Sequence, residues 1–159
     1  MGAMISQKAR YALRSLLYLV EEGHGAPVRL ARIAETQRVP RKFLELIMLD
    51  LKNAGFVTSI RGPAGGYRLA KLPEQISFGD IIRVIDGPIA LVPCASVHFY
   101  AKCGDCHDER TCAIRKVLAG VRESSVSILE GTSLAQAAGW ETGEPQCDLP
   151  TKEDTAASA

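Results

Sequence analysis

The run R-V-P-R-K-F-L-E-L-I-M-L-D-L-K-N-A-G-F-V-T-S-I-R-G-P-A-G-G-Y-R-L-A, Arg38 to Ala70, decides the fold. From Arg41 to Asn53 the apolar residues Phe43, Leu44, Ile47, Met48 and Leu51 fall on one face of a helix, and Gly55 supplies its stop. Phe56 to Ile60 then alternates as a strand, Arg61 to Gly66 has turn chemistry, and Tyr67 to Ala70 returns as a second strand. Upstream, Val28 to Thr36 carries Leu30, Ile33 and Ala34 at helical spacing, and Gln37-Arg38-Val39-Pro40 is a tight connection. Two short helices joined by a short turn, the second opening on Arg41 and Lys42, make a helix-turn-helix pattern. A hairpin directly after that pattern is a wing.

Working outward, Ser6 to Glu22 fits a helix that ends at Gly23-His24-Gly25. Ser77 caps a further helix through Asp86, with Phe78, Ile81, Ile82, Val84 and Ile85 expected to pack under the wing, and Gly87-Pro88 ends it. Ala113 to Glu130 is a long helix with Ile114, Val117, Leu118, Val121, Ser125, Ile128 and Leu129 at roughly heptad spacing. Such a stripe needs a partner: a second copy of the chain in a homodimer, or a fold-back onto its own domain. The expected fold is mainly α, a winged helix-turn-helix with a two-stranded wing and a long C-terminal dimerisation helix. Its organisation is a DNA-binding domain over 4–87, a cysteine-rich sensor loop over 88–112, the dimerisation helix over 113–134, and a disordered tail over 135–159 that includes Cys147. Met1-Gly2-Ala3 resembles an expression remnant ahead of a natural start at Met4.

With 159 residues, 47% of them hydrophobic, the chain buries one compact core. It contains no run of about 20 apolar residues and no signal-peptide pattern, so a soluble, cytoplasmic protein with no membrane partner is expected. The net charge of +1 hides an asymmetry, since residues 1–85 carry 13 Lys and Arg against 7 Asp and Glu, and residues 86–159 carry 6 against 11. The basic half is the candidate for a polyanion. No carboxylate pair or nucleophile–base constellation stands out, and Gly65-Gly66 links two strands rather than opening a phosphate-binding helix, so an enzyme is not expected.

The candidate DNA contacts follow from position. Arg41 and Lys42 start the recognition helix, where side chains meet base edges, and Glu45 one turn on can accept from a cytosine amino group. Arg61 at the wing suits the narrow minor groove, and Gly62 lets the backbone come close. Lys8 and Arg10 on the first helix suit phosphates, with Arg10 rather than Lys8 the one expected to turn into an intramolecular pair. The bland reading of all these cations is a solvated surface.

Cys94, Cys103, Cys106 and Cys112 form the run C-x8-C-x2-C-x5-C. Crowded thiols in a reducing compartment point to metal or redox chemistry rather than structural disulfides. Four thiolates complete a two-iron or four-iron cluster, and they equally complete a tetrahedral zinc site. A third option is thiol–disulfide cycling, with Lys102 or Arg110 lowering a thiol pKa. A different class stays open, a scaffold protein in which zinc staples the loop and the winged module binds protein.

The stretch S-Q-K-A-R-Y-A-L at Ser6 to Leu13, the wing R-G-P-A-G-G-Y-R-L at Arg61 to Leu69, F-G-D-I-I-R-V-I-D-G at Phe78 to Gly87, and cysteines before a long helix together resemble the IscR, NsrR and RirA family of winged-helix regulators, the Rrf-two type. The likeness spans about Met4 to Leu134. It implies a homodimeric transcription factor that binds palindromic, double-stranded promoter DNA and often senses iron, redox, nitric oxide or sulfur status through an iron–sulfur cluster. It places Cys94, Cys106 and Cys112 on the family's cluster-ligand positions, and makes Lys42, Phe43, Glu45 and Arg61 the DNA contacts. Three departures stand out. Cys103 is additional, Arg115 replaces the IscR histidine three residues after the last cysteine, and Pro40 replaces a serine. The fourth ligand is therefore open between Cys103, a histidine such as His107 or His98, a carboxylate such as Asp105 or Asp108, and a group from elsewhere in the dimer.

Overall fold

Ser6 opens the first helix, α1 (Gln7–Gly23), by accepting a hydrogen bond from the Ala9 amide at 3.0 Å, which satisfies one of the donors that a helix start leaves free. The computed structural model describes residues 5–104, 106 and 108–140. The α1 stripe of Ala9, Ala12, Leu13, Leu16 and Leu19 is buried, and His24 ends the helix in the left-handed region at φ 41°.

The next helix, α2 (Leu30–Thr36), is two residues shorter than its periodicity suggests. Val28 is extended instead. Its amide donates to the Tyr67 carbonyl and its carbonyl accepts from the Tyr67 amide, both at 2.8 Å, so a β-branched residue that suits a strand pairs with the wing. After the turn, α3 (Arg41–Asn53) buries Leu44, Ile47, Met48 and Leu51. The turn is held by the Val39 amide on the Ala34 carbonyl at 2.9 Å and by Arg14 on the Gln37 carbonyl at 2.7 Å. Arg38 within it takes a left-handed φ of 51°.

The wing is an antiparallel pair, β1 (Val57–Ile60) and β2 (Gly66–Leu69), with Val57 opposite Leu69 and Ile60 opposite Gly66. Beyond it, α4 (Phe78–Asp86) starts at Ser77, whose hydroxyl accepts from the Asp80 amide at 3.1 Å. It packs against α1, α3 and α5 (Ala113–Gly131) rather than under the wing. The reason is its apolar stripe: Ile81 joins the α1–α3 core, while Gly79 lets α5 come so near that an added Cβ would sit 3.0 Å from Glu130 Cγ. Mainly helical with a two-stranded wing, the architecture agrees with the sequence reading.

The C-terminal boundary does not. Residues 134–140 form α6 (Leu134–Trp140), where a tail is expected from 135. Leu134 is fully buried in the main core, Ala137 is buried beside α1, and the Leu134 amide donates to the Ile76 carbonyl at 2.9 Å. Seven residues are too few for periodicity to register against a polar neighbourhood, which is why composition missed them. The expected tail beyond, 141–159 with Cys147, lies outside the described residues. Leu134→Ala is expected to destabilise the chain by about 2–5 kcal/mol, the range for emptying a fully buried leucine site, and urea denaturation measures it.

Candidate functional site

The outward face of α3 carries Lys42, Glu45, Leu49 and Asn53, spaced three or four residues apart, with Leu46 beside Glu45, and all five are exposed. Arg41 at its start pairs with Glu45 at 3.4 Å, so the two groups expected to read bases restrain each other in the free protein. Phe43 is half-buried, its ring edge-on to Tyr11 with centroids 5.9 Å apart. That places it between the core and the surface, unlike the freely projecting Lys42. Leu46 and Leu49, each at least half exposed, were missed because they lie off the apolar stripe that defines the helix.

At the wing, Arg61 is exposed and Gly62 has φ 109°, a conformation a side chain would strain. The tip is braced by Arg29, whose guanidinium donates to the Pro63 carbonyl at 2.7 Å, and β1 by Lys52, which donates to the Ser59 hydroxyl at 2.8 Å. On α1 the expected pairing is reversed. Lys8 donates to Asp50 Oδ2 on α3 at 2.7 Å, while Arg10 is exposed and makes no ion pair among the described residues. Lys8 therefore ties α1 to α3, and Arg10 projects into solvent.

The cysteines lie along the connection from α4 to α5. Cys94 is buried on a 3-10 turn, Pro93–Ala95, that packs against α5. Its sulfur is 3.7 Å from that of Cys103. Cys112 caps α5 and accepts from the Arg115 amide at 3.5 Å, and the Arg115 guanidinium donates to the Cys94 carbonyl at 3.0 Å. Cys106 is half-buried, and its thiol pKa is raised: desolvation is the main cause, Cys112, Glu109 and Cys94 add to it, and Lys102 opposes. The expected lowering by Lys102 or Arg110 is thus not met at Cys106, and Arg110 is occupied by Asp108 at 3.5 Å. Tyr100, hydrogen-bonded to Glu109, closes the loop across the cysteines, and that bond raises its phenol pKa.

As donors, these thiols suit soft metal chemistry, iron with sulfide or zinc. Among the described residues the structure sets one thiol pair in contact and gathers no group of three or more Cys, His, Asp or Glu that could hold a metal. His98 and Asp108 join no such group, and Asp105 and His107 lie outside the described residues.

A family model described as an iron-dependent transcriptional regulator, Rrf2, matches residues 5–139. The chain belongs to the Rrf2 family. This family is one of transcriptional regulators, not enzymes. An rrf2-like HTH-type transcriptional regulator from Rhodobacter capsulatus is 47% identical over 134 residues, 82% of this chain and 89% of that one. The solved structure of CymR, the global cysteine regulator of B. subtilis, matches with a TM-score of 0.72 at 35% identity, covering 86% of this chain and 97% of that one. IscR of T. potens matches with a TM-score of 0.69 at 29% identity, covering 90% of each chain. Among the described residues, no helix of this Rrf2 member is long and apolar enough to cross a membrane.

The Lys8–Asp50 pair sits at intermediate exposure, with 35% and 40% of the two side chains in solvent. Lys8→Met is accordingly expected to cost less than about 1 kcal/mol, and adding Asp50→Asn should cost little more, a double-mutant cycle read by urea denaturation.

Proposed function

We propose that this chain is a cytoplasmic, homodimeric transcription regulator that lays α3 and the wing on double-stranded promoter DNA and holds an iron–sulfur cluster in its cysteine segment. The observation that carries the reading is where the thiols sit: Cys94 on a turn packed against α5, and Cys112 as the residue that starts α5. Through that arrangement a change at the sulfurs bears directly on one helix.

That helix has two apolar faces. Leu118 and Leu129 are half-buried, whereas Ile114, Val117, Val121 and Ile128 are exposed, three of them by more than 60%. A second copy of α5 is the covering partner we assign to the exposed face, in keeping with the isologous contacts of two-fold dimers. A ligand that orders the cysteine segment would then set the separation of the two α3 helices, and so the half-site spacing that the dimer matches. The signal is iron, redox, nitric oxide or sulfur status, the chemistry to which an iron–sulfur centre responds. Zinc on the same thiols is the second reading, supported by the same donor set.

Two experiments test this. Binding of a promoter fragment, followed by fluorescence anisotropy over a salt series, should weaken with rising salt. Arg61→Ala and Lys42→Ala should each weaken it further and flatten the slope by about one unit for each phosphate the variant no longer neutralises. Salt-independent binding, or none, would favour a protein-binding scaffold. The second is the triple variant of Cys94, Cys106 and Cys112 to Ala, expected to lose metal and to lose the metal-dependent change in DNA affinity. Unchanged metal content and unchanged affinity together would sink the sensor assignment.

A further inference from the structure

Leu46 and Leu49 are the large apolar side chains that α3 turns away from the core, 57% and 50% exposed. At about 100° per residue, Lys42, Leu46, Leu49 and Asn53 fall within an arc of about 60°, and the buried Leu44, Ile47, Met48 and Leu51 lie on the opposite side of the helix. The two leucines therefore add nothing to the packing of α3. They form one apolar patch at the middle of its outward face, with the Arg41–Glu45 pair along one edge and Lys42 one turn before Leu46.

Charge indicates what covers this patch. Arg41 and Lys42 suit a polyanion, as does the surplus of 13 Lys and Arg over 7 Asp and Glu in residues 1–85, and the chain belongs to a family of transcriptional regulators. Leu46 stands in the second turn of α3, and in helix-turn-helix docking it is the early turns of the second helix that meet base edges. A leucine has neither donor nor acceptor. The major groove presents ring-nitrogen and carbonyl acceptors, amino donors and the 5-methyl group of thymine, and of these a leucine complements the methyl group alone. Set over a guanine, adenine or cytosine edge, it would displace water from a donor or acceptor and return no hydrogen bond, so the same side chain also disfavours the other bases.

We propose that Leu46 is a specificity-determining residue that packs on the 5-methyl group of a thymine in each half-site, with Leu49 three residues on shielding that contact from water. The assignment rests on α3 lying in the major groove, as in the reading above, and goes beyond it in naming the base and the group that is read.

The test uses the full chain and a duplex that the wild-type chain selects from a random-sequence library, with binding read by fluorescence anisotropy. Replacing one thymine at a time with deoxyuridine removes the 5-methyl group and leaves base pairing intact. At one thymine position in each half-site the uridine duplex should bind wild type about fourfold more weakly, the factor for leaving one methyl-sized group in water. Leu46→Ala should bind the thymine duplex more weakly and, at that position, should bind the thymine and uridine duplexes alike. Leu46→Met should keep the discrimination, and both variants should keep the wild-type circular dichroism spectrum, since the side chain lies outside the core. Deoxyuridine also alters stacking and groove shape, so a sensitivity undiminished in Leu46→Ala would belong to the DNA and would overturn the assignment. A wild-type chain indifferent to every uridine replacement would overturn it as well, with DNA binding left standing. If no duplex is selected, or binding does not weaken with salt, the parent reading falls and this assignment with it.

Discussion

Burial of α1 along its length is the constraint on which the rest of the structure depends. Ala9 and Ala12 are small enough to let neighbouring elements approach its axis, and Leu13, Leu16 and Leu19 fill the space that remains. Against this one helix rest α3, α4, α6 and β2. Polar contacts tie its first turn as well: the Ser6 amide to Asp86 at the end of α4 at 2.8 Å, and Lys8 to Asp50 on α3. Both α3 and α4, the helix that leads into the cysteine segment, are thus located from a common reference.

Much of this was legible in the sequence because the signals were local. The α3 stripe of Leu44, Ile47, Met48 and Leu51 has a strict helical period, and the Arg61–Gly66 turn between two alternating runs admits little besides a hairpin. What was not legible was set by tertiary partners. Val28 reads as helical until Tyr67 offers it a strand partner, the sequence favours Arg10 over Lys8 for an internal pair until Asp50 takes Lys8, and α6 has too few residues to declare a period before Leu134 finds the core.

The site divides in the same way. Candidate positions on α3 and the wing could be named from their place on the helix and hairpin, with Phe43 added by the family resemblance. Their pairings, Arg41 with Glu45 and Phe43 with Tyr11, could not. In the cysteine segment spacing gave the donor set but not its grouping, because a connection without regular structure has no period from which to infer which thiols meet. The contact of Cys94 with Cys103, nine residues apart, depends on where Pro93–Ala95 is pressed against α5.

Gly66 begins the returning strand of the wing at a point of close approach. An added Cβ there would lie 2.3 Å from the Val28 carbonyl oxygen, so the backbones on either side of this point are in direct apposition. Val28 and Tyr67 are hydrogen-bonded in both directions and Arg29 braces the tip, so the wing is tied to the segment that opens α2. These contacts join the helix-turn-helix and the wing into one continuous unit. Any swing of the wing away from the helix-turn-helix would first have to break that backbone pairing.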